Sequence, residues 1–145
     1  MTNAEKIGSL GEDFICKLLC GRLSDDVFDT EKDIILSDGT TVEVKTQVRS
    51  RKTNSFTIED KPSQMRKSQS VDKLLFVEYG TYGHIRVYEC FDRDYTIHRQ
   101  YDGRSMAHFP INKMKKIYDK QNPLCEEMIK LTHSELRWLN DSYLY

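Results

Sequence analysis

The chain has 145 residues, enough for one domain that buries about two thirds of its unfolded surface without disulfide or metal support. Its 22 basic and 23 acidic residues nearly balance, so the net charge of −1 neither favours nor excludes a nucleic-acid partner. No apolar run approaches the ~20 residues that a membrane-spanning helix needs. We therefore expect a soluble protein with no membrane partner.

Cysteine usage favours a reducing, cytoplasmic location. The four cysteines form no Cys-x-x-Cys pair, and the first residues lack the apolar run of a signal peptide. Cys16 and Cys20 lie one helical turn apart, but no zinc-ligand spacing joins them to a histidine. Buried free thiols are the commoner use of such residues.

The first predicted element is an amphipathic helix over residues 3–21, with Thr2 or Asn3 as its N-cap. Its apolar residues recur at intervals of three and four: Ile7, Leu10, Phe14 and Leu18. Glu12 lies on the flank of this stripe, where it can face solvent or lean over the edge of the structure that the helix covers. A short strand near 27–30 is expected next.

Two β-prone runs then meet at Asp38-Gly39, which is a strong turn signal. A two-residue turn there would pair Asp33 with Val44 and bury an unpaired carboxylate. A three-residue loop over 37–39, with its glycine in the left-handed conformation, pairs Asp33 with Glu43 instead. The three-residue loop is therefore predicted. It places Ile34, Leu36, Val42 and Val44 on the buried face, and Asp33, Glu43, Lys45 and Gln47 on the polar face.

The rest of the chain predicts a mixed α/β domain. In chain order we expect a loop or ragged edge over 49–60, a second helix over 60–70, strands over 73–79 and 84–91 joined by a turn at 80–83, and a short strand within 95–99. The C-terminal third is predicted to be helical, with one segment over 114–120 and one or two further helices. Thr132 and Glu135 are spaced as a capping box.

The polar face of the hairpin carries the groups that phosphodiester hydrolysis needs. Two carboxylates on adjacent strands can hold Mg²⁺ or Mn²⁺, which prefer oxygen ligands. A lysine two residues along the same face can orient a water on such a cation. Arg49, Arg51 and Lys52 follow the strand directly and could grip phosphates, although runs of charge are also common on solvated surfaces.

Asp33 followed, after a β-turn, by Glu43-Val44-Lys45 resembles the active-site motif of the PD-(D/E)XK nuclease superfamily. The stretch GSLGEDFICKLL is similar to the G-x-x-G-E helix with which several of those families begin, and Glu12 falls on its glutamate. Gln47 matches the glutamine of the extended E-x-K-x-Q motif. Lys32 departs from the pattern, because it stands where the motif has proline.

This resemblance implies a restriction endonuclease-like αβββαβ core over about 3–91, with a mixed central sheet flanked by helices, and a helical C-terminal extension over about 110–145. It implies a metal-dependent nuclease that acts on nucleic acid, DNA being favoured over RNA. The implied catalytic residues are Asp33, Glu43, Lys45, Gln47 and Glu12. The implied ligands of Mg²⁺ or Mn²⁺ are Asp33, Glu43, the carbonyl of Val44, and Glu12.

The resemblance also bears on substrate contacts and assembly. Gln64 and Lys67 resemble polar positions that flank the site in relatives, so they join Arg49, Arg51 and Lys52 as candidate nucleic-acid contacts. Solvated helix surface is the competing and commoner role for such side chains. Many relatives cut two strands with two subunits, which leaves a homodimer open. Linear duplex, branched junction, single strand and RNA stay open as substrates.

Two other classes of function compete with the nuclease. The chain could be a catalytically silent nucleic-acid-binding or assembly module that keeps the fold, or a small partner protein whose helical tail docks on a larger complex. An intact set of Asp33, Glu43 and Lys45 argues against a silent module, because a decayed site is expected to lose at least one of them.

Overall fold

A six-stranded mixed sheet forms the centre of the fold, and the computed structural model describes the protein over residues 1–24 and 34–135. Numbered in chain order, the strands of this sheet are β1 Arg22–Leu23, β2 Ile34–Ile35, β3 Thr41–Gln47, β5 Lys73–Thr81, β6 His84–Glu89 and β9 Lys115–Gln121. They lie side by side in the order β1-β2-β3-β5-β6-β9. Only β3 and β5 are parallel, and the other neighbouring strands in this described sheet are antiparallel.

A second sheet and three α-helices cover the two faces of the central sheet. The second sheet has the order β4-β8-β7 and consists of β4 Ser55–Glu59, β7 Thr96–Arg99 and β8 Ser105–Pro110. The helices are α1 Asn3–Leu19, α2 Pro62–Ser70 and α3 Pro123–Glu135, and a 3-10 turn spans Ile111–Lys113. None of the described helices is both long and apolar enough to cross a membrane.

Two hydrophobic cores lie on opposite faces of the central sheet. On one face α1 and α3 pack against β3, β5 and β6, through residues such as Ile15, Val42 and Met128. On the other face α2 and the second sheet pack against β5 and β6, and Phe56 of β4 stacks on Phe76 of β5 with ring centroids 4.9 Å apart. The predicted fold class, a mixed α/β domain with a mixed sheet flanked by helices, is confirmed at this level.

The first helix begins where the sequence predicts. The Thr2 hydroxyl accepts a hydrogen bond from the Glu5 N–H, and the Glu5 carboxylate accepts one from the Thr2 N–H, which completes a capping box. The helix ends at Leu19, and Cys20 takes the left-handed conformation at φ +55°.

The β2–β3 hairpin has the predicted three-residue loop. Ile34 pairs with Val42, the Leu36 N–H donates to the Thr40 carbonyl, and Gly39 adopts φ +87°. Ile34 and Val42 are fully buried, as the predicted apolar face requires. Asp33 and the strand expected near 27–30 lie outside the described residues.

Two segments differ from the prediction because each finds a distant pairing partner. Residues 49–60 were expected to be a loop or a ragged edge, but β4 pairs with β8 and buries Phe56 and Ile58. Their alternation with Ser55, Thr57 and Glu59 is a strand signal that the polar surroundings obscured. Residues 114–120 were expected to be helical, but β9 pairs with β6 along its length, since tertiary pairing overrides a weak local preference.

The predicted capping box at Thr132 is also wrong. Helix α3 runs through this position, where the Thr132 hydroxyl donates to the Met128 carbonyl at 2.9 Å and contacts the Tyr79 hydroxyl at 2.8 Å. Thr132 thus links α3 to β5. The C-terminal part is therefore a strand followed by a helix as far as residue 135, rather than entirely helical.

The Gln47 side chain joins the two sheets. Its carboxamide donates to the Thr57 carbonyl at 2.8 Å and accepts from the Thr57 N–H at 2.7 Å. These are the two hydrogen bonds that a neighbouring strand would make with the edge of β4. Gln47 therefore takes the place of a missing strand and fixes the second sheet against β3.

Helix α1 crosses β3 at Gly11, where there is no room for a side chain. A Cβ built on Gly11 would lie 1.8 Å from Oγ1 of Thr46, whereas one built on Gly8 meets nothing within 4 Å. The two glycines lie one turn apart on the same helix, so they form a matched pair for mutation.

Gly11→Ala is expected to lower the free energy of unfolding by about 1–3 kcal/mol, because the new methyl group forces α1 and β3 apart. Gly8→Ala should raise it by roughly 0.5–1 kcal/mol, since alanine is the better helix former. Urea denaturation of both variants measures the difference. Equal effects would show that the crossing at Thr46 is not tightly packed.

Gln47→Ala is expected to cost roughly 1–3 kcal/mol of stability, because the Thr57 N–H and carbonyl both lose their partner. Gln121→Ala serves as the control, since Gln121 is exposed on β9 and should shift stability by less than about 0.5 kcal/mol. The measurement is again urea denaturation. A Gln47 variant as stable as the control would contradict the proposed link between the sheets.

Candidate functional site

Strand β3 places Glu43 and Lys45 on the same face, as the alternation of the sequence predicts. The environment of this face differs from the expectation of an open polar surface. Glu43 is only 4% exposed, because α2 and the second sheet cover this side of β3. A carboxylate in such a position requires compensating charge.

Two lysines supply that charge. Lys45 Nζ lies 3.4 Å from Oε1 of Glu43, and Lys67 Nζ of α2 lies 3.6 Å from its Oε2. Lys45 also donates a hydrogen bond to Oε1 of Gln64 at 3.4 Å. The structure therefore brings Glu43 and Lys45 together with Gln64 and Lys67, four residues that the sequence predicted separately.

The local structure of α2 explains how its two side chains reach the site. Pro62 occupies the first turn, where a missing N–H costs nothing, and so starts the helix directly after Lys61. Gln64 and Lys67 are three residues apart and share one face of α2. Met65 and Ser68 are buried beneath the helix and hold that face towards β3.

An open cleft of about 520 Å³ brings Glu12 to the same place. Its walls are formed by the N-terminal half of α1, by Leu23 of β1 and by residues 43–46 of β3. Glu12, Glu43 and Lys45 all line this cleft. The predicted helix glutamate therefore lies in the same cleft as the predicted strand residues.

Other cleft residues were missed at the sequence level. Glu5, Ser9 and Asp13 also line the cleft, beside Glu12. Their spacing of about one turn along α1 is the signal that could have identified a polar face of the helix next to its apolar stripe. They add two carboxylates to the acidic side of the cleft.

Several other predicted site residues are not among those that line the cleft. Gln47 holds Thr57, as described above, so its amide groups serve the junction between the sheets. Arg51 and Lys52 are exposed in the turn over 51–54, outside the cleft. Asp33 cannot be placed, because it lies outside the described residues, but Ile34 has the register that pairing of Asp33 with Glu43 requires.

The Arg49 side chain is held by other side chains of the protein rather than extended into solvent. Its guanidinium makes a bidentate contact with Glu78, which is 2% exposed, and it donates to the Tyr88 hydroxyl at 3.1 Å. The hydrogen bond to Glu78 raises the pKa of Arg49 above its ordinary value. A phosphate contact by Arg49 would have to compete with this buried ion pair.

The donors in the cleft suit a hard divalent cation. Glu43, Glu12 and the main chain of Val44 offer oxygen ligands, which Mg²⁺ and Mn²⁺ prefer. Within residues 1–24 and 34–135 no three His, Cys, Asp or Glu side chains form a group that could hold a metal ion. The described residues therefore supply part of a set of metal ligands. The sequence predicts Asp33 as a further ligand in this set.

Comparison with known proteins adds no assignment. No protein-family model and no curated protein sequence matches the chain. The basis for a functional proposal is therefore the geometry of Glu43, Lys45 and the residues around them, together with the motif that these residues resemble.

Proposed function

We propose that the protein is a metal-dependent nuclease that hydrolyses phosphodiester bonds, with DNA as the favoured substrate. The observation that carries the proposal is the position of Lys45 Nζ, 3.4 Å from the Glu43 carboxylate, in the wall of a cleft that Glu12 also lines. The resemblance of these residues to the PD-(D/E)XK motif supports the choice of reaction and favours DNA over RNA. The parallel arrangement of β3 and β5, joined through α2, is compatible with a restriction endonuclease-like core.

Glu43, Glu12 and the Val44 carbonyl, with Asp33, are the residues that would hold Mg²⁺ or Mn²⁺. When bound, the cation would acidify a water and offset the negative charge that develops on the phosphate. The oxygen donors of the cleft match this requirement, and a carboxylate as enclosed as Glu43 is screened little by solvent.

Lys45 and Lys67 would act directly on the phosphate. Both ammonium groups flank the Glu43 carboxylate, and both lysine side chains are only 18% exposed. Positive charge in such a position stabilises an anionic transition state more strongly than it would in water. The side-chain carbonyl oxygen of Gln64, Oε1, accepts a hydrogen bond from Lys45 and so holds the lysine ammonium group in place before substrate binds.

Lys45→Met should lower the rate of magnesium-dependent plasmid nicking by about 10²- to 10³-fold, the usual cost of removing one preorganised electrostatic group. Methionine keeps most of the buried stem and removes the charge. The control is Lys115→Met, an exposed lysine on β9 that does not line the cleft and should retain most of the parent rate. Circular dichroism verifies that both variants are folded.

An unchanged nicking rate in Lys45→Met would refute the role of Lys45. A pure parent protein that binds DNA but never cleaves it with Mg²⁺ or Mn²⁺ would favour the catalytically silent module instead.

Glu43→Gln should weaken Mn²⁺ binding by at least an order of magnitude, because the cation loses a charged oxygen ligand. Glu59→Gln is the matched control, since Glu59 lies on β4 and does not line the cleft. Isothermal titration calorimetry measures both, without any need for activity. Equal affinity in the two variants would exclude Glu43 as a ligand.

A further inference from the structure

The second sheet ends in an exposed edge strand that leaves large apolar side chains partly in solvent. All four residues of β7 are exposed, and no described strand lies beyond it. Ile97 is 48% exposed, and Tyr95, which precedes the strand and packs on Phe109, is 40% exposed. The apolar side of β7 is therefore not covered by the core that lies beneath the rest of the second sheet.

The backbone of this edge presents its hydrogen-bonding groups outwards at alternate residues. The Gln100 N–H donates to the Arg104 carbonyl, so this pair closes the β7–β8 hairpin as a hydrogen-bonded pair. Pairs alternate along an antiparallel ladder, which makes Arg99–Ser105 and Ile97–Ala107 non-hydrogen-bonded pairs. The N–H and carbonyl groups of Ile97 and Arg99 consequently point away from β8, towards the open edge, and Tyr95 continues this alternation.

Edge strands of natural proteins are commonly protected, and the other long exposed edge of the described sheets is an example. Strand β9 carries Lys115, Lys116 and Lys120, and its pairing with β6 is interrupted by a shift of register at Val87. Lysines and bulges are both devices that prevent strand addition. Strand β7 has no lysine, and its pairing with β8 is regular.

The sequence of this edge is complementary to itself in the antiparallel direction. With Ile97 placed opposite its own copy, Tyr95 faces the partner's Arg99 and Thr96 faces the partner's His98. These are an aromatic–cation pair and a hydroxyl–imidazole pair, while the centre is an apolar pair. No like charges oppose each other, and the outward-directed groups of Tyr95, Ile97 and Arg99 all meet partners.

We propose that β7 is a dimerisation edge, which pairs antiparallel with β7 of a second copy of this chain about a two-fold axis at Ile97. The two three-stranded sheets then form one continuous six-stranded sheet. Such an interface is isologous and closes after two copies, so it gives dimers rather than fibres. A shift of the axis to His98 would set two imidazoles opposite each other and place Ile97 against an arginine, which disfavours that register.

This assembly is independent of the nuclease proposal, because it concerns residues outside the cleft and is measured without substrate. The decisive experiment is the molar mass of the parent protein over a dilution series, by light scattering or sedimentation. The parent is expected to reach twice the chain mass at high concentration. Ile97→Lys should remain at the mass of one chain, since it places two ammonium groups opposite each other at the axis.

Ile117→Lys is the matched control, because Ile117 is an exposed isoleucine on the other edge strand, β9. It should dimerise like the parent. The proposal is overturned if the parent keeps the mass of one chain throughout, if Ile97→Lys still dimerises, or if Ile117→Lys abolishes the dimer equally. Circular dichroism establishes that the lysine variants are folded.

A cysteine pair tests the register. Ile97→Cys should form a disulfide-linked dimer on mild oxidation much faster than Ile117→Cys or the parent, which already contains the exposed Cys20. Equal rates of cross-linking in the three proteins would refute the axis at Ile97.

Discussion

Burial of polar side chains beneath the second sheet is the constraint on which the rest of this structure depends. The face of the central sheet that β4 and α2 cover carries Glu43, Gln47 and Glu78, and none of them can remain there without partners. The partners come from several parts of the chain. Lysines approach Glu43, the Thr57 backbone meets the amide of Gln47, and Arg49 forms a bidentate pair with Glu78.

These pairs determine where the surrounding elements lie. Because Lys67 must approach Glu43, α2 is held with one face towards β3, and because Gln47 binds Thr57, the edge of β4 is fixed beside the same strand. The candidate site lies where these residues of β3 meet the other face of the central sheet, in the cleft beneath α1 that Glu12 lines. The close crossing of α1 and β3 at Gly11 brings the carboxylates of α1 near enough to line the cleft. Charge compensation in the fold and the proposed catalysis thus use the same residues.

Two hairpins of the chain have the same loop and contribute very differently. In both, a three-residue loop ends in Asp-Gly. The aspartate carboxylate accepts a hydrogen bond from the N–H two residues further on, and the glycine, Gly39 or Gly103, has φ near +90°. The first hairpin supports the candidate site, whereas the second presents β7 as an open edge. The Asp-Gly pair at residues 102–103 is as clear a hairpin signal as the first, and it indicates β8 as well as β7.

The sequence by itself determined the features that depend on neighbouring residues: the cap and span of α1, the register of the β2–β3 hairpin, and the sharing of one face by Glu43 and Lys45. Local periodicity and turn geometry are sufficient for these, because each partner lies within a few residues. Only the tertiary structure decided that residues 115–121 form a strand and that the polar face of β3 is buried. Their partners are far away in the chain, and a strand of mixed character is stabilised by the strand that it meets rather than by its own sequence.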